Sequence, residues 1–161
     1  MIRFLDKKTE MPMLERLFDL LCEHMEAFAP SGLSYEEEKR IWLSQVVPAM
    51  EKEPRQILLL TDGNGLMGYC QYYISSGILM VEEVQLRRDC RSSSAIVSLV
   101  RMLLKQAGKV TFLEAYADRR NRTSRSLLEK LGMECIGEDG QFLHYRAEMK
   151  IIRERFAGKR L

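Results

Sequence analysis

Val81-Glu82-Glu83-Val84-Gln85-Leu86-Arg87-Arg88-Asp89-Cys90-Arg91-Ser92-Ser93-Ser94-Ala95-Ile96-Val97-Ser98-Leu99-Val100 reads as a strand, a short polar loop and a helix. The strand is expected over 78–86. The helix is expected to start at Ser92 to Ser94, because Ile96, Val100, Leu103, Leu104 and Ala107 recur at helical spacing and Gly108 follows as a stop. The first turn of a helix has unpaired backbone N–H groups and a partial positive charge, which suits a phosphate. Arg91 and the hydroxyls of Ser92, Ser93 and Ser94 add donors there, and Arg87 and Arg88 stand just before it. An ordinary serine-capped helix beside surface arginines explains the same residues.

Outward from this unit the chain shows no repeat, low-complexity stretch or linker. Upstream, 2–5 suggests a first strand. A helix over 11–29 follows, with Leu14, Leu17, Phe18, Leu21, Met25 and Phe28 on one face. Ser34 and Glu37 form a capping box for a second helix carrying Ile41, Trp42 and Val46, with Pro48 and Pro54 bracketing its end. Strands are expected at 57–61 and 66–73 about the Asp62-Gly63-Asn64-Gly65 turn. Downstream, 110–117 reads as a strand, 121–131 as a helix closed by Gly132, and 133–136 and 142–149 as strands. The order β-α-α-β-β-β-α-β-α-β-β implies an α/β class with a mixed sheet covered on both faces. One domain over 1–149 and a basic tail over 150–161 are expected.

Composition narrows the function. The 161 residues are 46% hydrophobic and 30% charged, which suits a globular chain. No apolar run reaches the ~20 residues of a membrane span. Met1 to Thr9 lacks the apolar core of a signal peptide, so a cytoplasmic location is the expectation. Cys22, Cys70, Cys90 and Cys135 form no C-x-x-C pair, and only His24 and His144 are present. Reduced, mostly buried thiols are expected, with no metal site and no histidine-based triad. A catalytic thiol at Cys90 is disfavoured, although Arg88 and Arg91 beside it would lower its pKa. Net charge is +2, with five basic residues against one acid in the last twelve positions. Arg87, Arg88, Arg91 and Arg119, Arg120, Arg122, Arg125 form further clusters. They point to an anionic partner or to solvated surface. They are not interleaved with stacking aromatics, so a nucleic-acid module is the weakest reading.

The strand–Arg–Ser–helix unit, followed by an Asn121-headed helix ending Leu128-Glu129-Lys130-Leu131-Gly132-Met133, resembles the GCN5-related N-acetyltransferase (GNAT) family over roughly 57–149. The family's Arg-x-x-Gly-x-Gly/Ala loop corresponds to Arg91-Ser92-Ser93-Ser94-Ala95-Ile96. The resemblance implies an acyl-CoA N-acyltransferase using acetyl-CoA as donor and a primary amine as acceptor. Its coenzyme-binding residues would be Leu86, Arg87, Arg88, Arg91, Ser92, Ser93, Ser94, Ala95 and Ile96, with Asn121 and Ser124 toward the pantetheine arm. No membrane or nucleic-acid partner is implied, and a homodimer is compatible with it. Ser94 and Ile96 depart from the family's small loop residues. Leu128 stands where many members carry the tyrosine that protonates the leaving thiolate, which leaves Tyr116 as a substitute by position.

Acyl transfer to an amine needs a base near the acceptor. Adjacent strand residues point to opposite faces, so only one of Glu82 and Glu83 can serve. Glu82 shares a face with Val84 and Leu86 and is preferred; Glu83 shares one with Gln85. One facing solvent and the other making a structural hydrogen bond explains the same pair. A backbone N–H near Val84 to Leu86 would stabilise the oxyanion. Tyr69, Tyr72 and Tyr73 lie on a strand expected to border the acceptor, which the first two helices would shape, with core packing expected for at least one of them. The competing reading is a degenerate relative that binds coenzyme or a partner without turnover.

Overall fold

The computed structural model describes residues 1–52 and 54–157. Strand β1 (Ile2–Phe4) precedes helices α1 (Met13–Met25) and α2 (Tyr35–Lys52) and strands β2 (Gln56–Asp62), β3 (Gly65–Ser75) and β4 (Ile78–Leu86). A 3-10 turn, Arg88–Cys90, leads into α3 (Ser93–Gln106), followed by β5 (Phe112–Asp118), α4 (Arg122–Leu131), β6 (Glu134–Asp139), β7 (Phe142–Glu148) and α5 (Met149–Ala157). The strands hydrogen-bond in the order β1-β2-β3-β4-β5-β7-β6. Pairing of β4 with β5 is parallel, as a helical crossover through α3 demands, and runs from Ile78↔Phe112 to Val81↔Ala115. The β1–β2, β5–β7 and β6–β7 pairs are antiparallel. The sheet is therefore mixed and the class α/β, in the expected element order up to β7.

The residues group into two compact units, Met1–Gln71 with Glu83–Arg91, and Tyr72–Glu82 with the chain from Ser92 onward. In the first, α1 and α2 bury Leu14, Leu17, Phe18, Trp42, Val46 and Met50 together with Ile57 and Leu59 of β2. The capping box is formed: the Ser34 N–H donates to Glu37 Oε2 at 3.0 Å, and the Glu37 N–H to Ser34 Oγ at 3.3 Å. Helix α2 ends at Lys52, between Pro48 and Pro54 as expected, so Pro48 lies inside it. A proline there removes one backbone hydrogen bond. Burial of Val46, Ala49 and Met50 around it offsets that loss. The inner face of α1 also departs from the expected stripe. Leu20, Cys22 and His24 are buried toward its end, whereas Met25 is exposed.

In the second unit the expected basic tail is helical from the start. Met149, Ile152 and Phe156 of α5 are buried, and each such side chain contributes roughly 1.5–3 kcal/mol. Its arginines cap other elements: Arg153 donates to the Gly108 carbonyl at 2.9 Å and Arg155 to the Lys130 carbonyl in the last turn of α4 at 2.7 Å. Residues 158–161 of that expected tail lie outside the described residues. Glu114 of β5 is 3% exposed. It accepts hydrogen bonds from Arg146 Nε and His144 Nε2 of β7, each at 2.7 Å. Burial pushes its carboxyl up, but these bonds and charges outweigh it and hold it below the ordinary glutamate value.

Gly68 of β3 is required by space. A Cβ there would stand 2.3 Å from the Gln85 carbonyl oxygen and 2.6 Å from Leu86 Cδ2 of β4. Gly68→Ala is expected to destabilise the protein by about 1–3 kcal/mol in urea unfolding, while Gly63→Ala, with nothing within 4 Å, stays within about 0.5 kcal/mol. The lowered Glu114 pKa means that the unfolded chain takes up its proton first on acidification. Its stabilisation should be complete above the ordinary value of about 4.3 and fall away as pH drops below it. Glu114→Gln should flatten unfolding free energy against pH between about 5 and 3.

Candidate active site

The end of β4 separates the two candidate bases. Glu82 is exposed, whereas Glu83 is half-buried within the first unit. Tyr69 of β3 donates its hydroxyl to Glu83 Oε1, and Trp42 Nε1 of α2 donates to Oε2 at 3.4 Å. Burial raises the Tyr69 pKa well above the ordinary phenol value and the Glu83 charge raises it further, so Tyr69 remains a proton donor. Burial, then Glu83, likewise raises the adjacent Cys70 thiol. Gln85 shares Glu83's face of the strand. Its Oε1 lies 2.5 Å from His24 Nδ1 of α1.

The loop after β4 is built from local pairs. Arg87 is engaged by Asp89 at 3.0 and 2.8 Å and by the Leu66 carbonyl at 3.3 Å. Arg88 pairs with Glu23 of α1 at 3.7 Å. Arg91 folds back so that its Nε donates to the carbonyl of Leu86 at 3.1 Å. The expectation that arginines lower the Cys90 pKa is overturned. Burial and the Asp89 hydrogen bond raise it, and the opposing charge of Arg87 does not prevail. All four cysteines are free; Cys22 and Cys70 are buried, Cys90 is half-buried and Cys135 exposed.

In the second unit Ser92 is the N-cap of α3, with extended backbone, and its Oγ accepts from the Ala95 N–H at 3.2 Å. Its hydroxyl also lies 2.9 Å from that of Ser94. The Ser93 side chain lies outside the described ones. Ala95 and Ile96 follow in the first turn, with the Ile96 N–H directed to the Ser92 carbonyl at 3.3 Å. Asn121 caps α4 by accepting from the Ser124 N–H at 3.0 Å. Arg119 pairs with Glu138 and Arg120 with Asp118, while Arg125 reaches the Arg119 carbonyl. Leu128 is half-buried within α4. Tyr116 of β5 is 43% exposed and stacks on His144, ring centres 4.4 Å apart.

The sequence reading did not single out His24, Trp42 or Gln85 for the site. The alternation of β4 already put Gln85 beside Glu83, but only the packing of α1 and α2 onto that face brings the imidazole and indole to it. Among the described residues, no three His, Cys, Asp or Glu side chains form a group that could hold a metal ion. None of their helices is long and apolar enough to cross a membrane.

No family model matches the chain, and no curated protein matches it. Solved structures do. The PaiA N-acetyltransferase of Thermoplasma acidophilum, in complex with coenzyme A, superposes with a TM-score of 0.72 at 18% identity, covering 92% of this chain and 98% of that one. A Desulfovibrio desulfuricans protein assigned to the GNAT family gives 0.69 at 16% identity, with 92% and 98% covered. The spermidine N-acetyltransferase of Vibrio cholerae, in complex with CoA and spermine, gives 0.65 at 10% identity, with 94% and 96% covered. The fold is that of the GNAT acetyltransferases. Replacing Tyr69 by Phe should cost about 1–3 kcal/mol in chemical unfolding, because a half-buried carboxylate then loses a donor.

Proposed function

We propose that this chain is an acyl-CoA-dependent N-acyltransferase of the GNAT family, moving an acetyl group from acetyl-CoA to a primary amine. The observation that carries the reading is the Glu83 carboxylate, held by Tyr69 and Trp42 on the strand that runs into the α3 loop. The shared fold with acetyltransferases crystallised with coenzyme A supports it. The amine lone pair attacks the thioester carbonyl carbon, forming the C–N bond and an oxyanion. Collapse breaks the C–S bond. Glu83 takes the proton that the nitrogen sheds, directly or through one water. Backbone N–H groups of β4 near Val84 to Leu86 would meet the oxyanion. The N–H groups of the first turn of α3 would meet the coenzyme's phosphates.

Leu128 favours the second reading, a coenzyme- or partner-binding relative without turnover, since it supplies no proton to the departing thiolate. Calorimetric titration with acetyl-CoA, followed by thiol release with a panel of amines, separates the two. The enzymatic reading expects both a binding isotherm and amine-dependent thiol release; binding without release supports the degenerate one. Glu83→Gln should lower kcat about 100-fold or more with coenzyme affinity unchanged, and Glu82→Gln should change kcat much less. The opposite ranking would move the base to Glu82.

A further inference from the structure

Only 7% of the His24 surface is exposed, and the residue sits in the last turn of α1. Its Nδ1 meets Gln85 Oε1 at 2.5 Å, while its Nε2 is buried without a hydrogen-bond partner. A buried polar atom left unpaired is costly and calls for a physical reason. An orphaned N–H is rarer than an orphaned acceptor. In the neutral ring the proton therefore belongs on Nδ1, where an oxygen receives it, and the lone pair is left on Nε2. The imidazole is not placed to satisfy itself; it is placed to hold the Gln85 carbonyl oxygen. With that oxygen tied to α1, the Gln85 side-chain NH2 points away from it. The backbone beneath is pinned as well, because Gly68 approaches the Gln85 carbonyl too closely for any Cβ.

Gln85 is two residues beyond Glu83 on the same face of β4, about 6–7 Å along the strand. That face thus presents a proton acceptor, Glu83, and an oriented donor pair, the Gln85 amide, in a fixed order. We infer that His24 is a positioning residue for Gln85, and that Gln85 reads an oxygen of the acyl acceptor. The acceptor class is then an amine with a carbonyl oxygen on the neighbouring carbon, as in an aminoacyl amide or a peptide amino terminus, rather than a plain alkylamine or polyamine. The amine gives its proton toward Glu83 and the carbonyl accepts from Gln85. This inference rests on the N-acyltransferase reading.

The test compares glycinamide with isobutylamine, which has the same heavy-atom shape but no carbonyl, with rates referred to the free-base amine. The wild-type protein should favour glycinamide at least tenfold in kcat/KM, mostly through KM. Gln85→Leu and His24→Phe should bring that ratio toward one. His24→Asn retains an N–H near the position of Nδ1 and should restore the preference. Nitrogen-15 NMR of the wild-type protein should show His24 protonated on Nδ1 and bare on Nε2, whether or not a variant folds. A proton on Nε2 instead, equal use of both amines, or an undiminished preference in His24→Phe would overturn the inference and leave the enzymatic reading standing. Coenzyme binding with neither amine acylated, or no coenzyme binding, would overturn the two together.

Discussion

A carboxylate set among apolar side chains must be given donors, and the amino-terminal unit is arranged around that requirement at Glu83. Water is replaced there by a phenol from β3 and an indole from α2. Each donor must itself be anchored. Tyr69 is completely buried, and Trp42 packs at 5.7 Å from Phe18 of α1. α2 therefore has to lie on this face of the sheet, and it continues through Pro48 because its buried side chains hold it there. Gly68 gives β3 the close approach to β4 that sets the backbone beneath Gln85. Hydrophobic packing supplies the stability, and the polar cluster is what that packing positions.

Several of the basic residues have structural work. Arg153 and Arg155 satisfy carbonyls at the ends of helical segments. Arg119, Arg120 and Arg87 are matched to nearby carboxylates. A guanidinium beside an acid is worth little as a stabilising pair when exposed, but it is no longer an uncommitted positive charge. The clusters that look alike in sequence are thus not equivalent. The start of α3 has a capping serine and a first turn without acidic residues.

The expected elements from β1 to β7 are present because their signals are local. The Ser34–Glu37 box, the Asp62–Gly65 turn and Gly132, at φ 92°, each act within a few residues. The misreadings have non-local causes. The segment after β7 carries enough charge to resemble a solvated tail, yet Met149, Ile152 and Phe156 recur at spacings of three and four and find a surface to cover. The face of α1 was drawn through Met25, but the helix turns His24 inward instead. Cys90 shows that nearby arginines do not decide a thiol's environment, since burial and the hydrogen bond to Asp89 raise its pKa.

Sequence alone determined the order of elements, the mixed sheet, the strand–loop–helix unit and the opposite facing of Glu82 and Glu83. These follow from periodicity, turn chemistry and capping, all of which are written over short spans of chain. What holds Glu83 was decided only by tertiary structure. Alternation along a strand states that Glu82 and Glu83 face opposite ways but not which way is inward. That depends on where α1 and α2 pack, and so on contacts between residues far apart in the chain: Trp42 with Glu83, and His24 with Gln85.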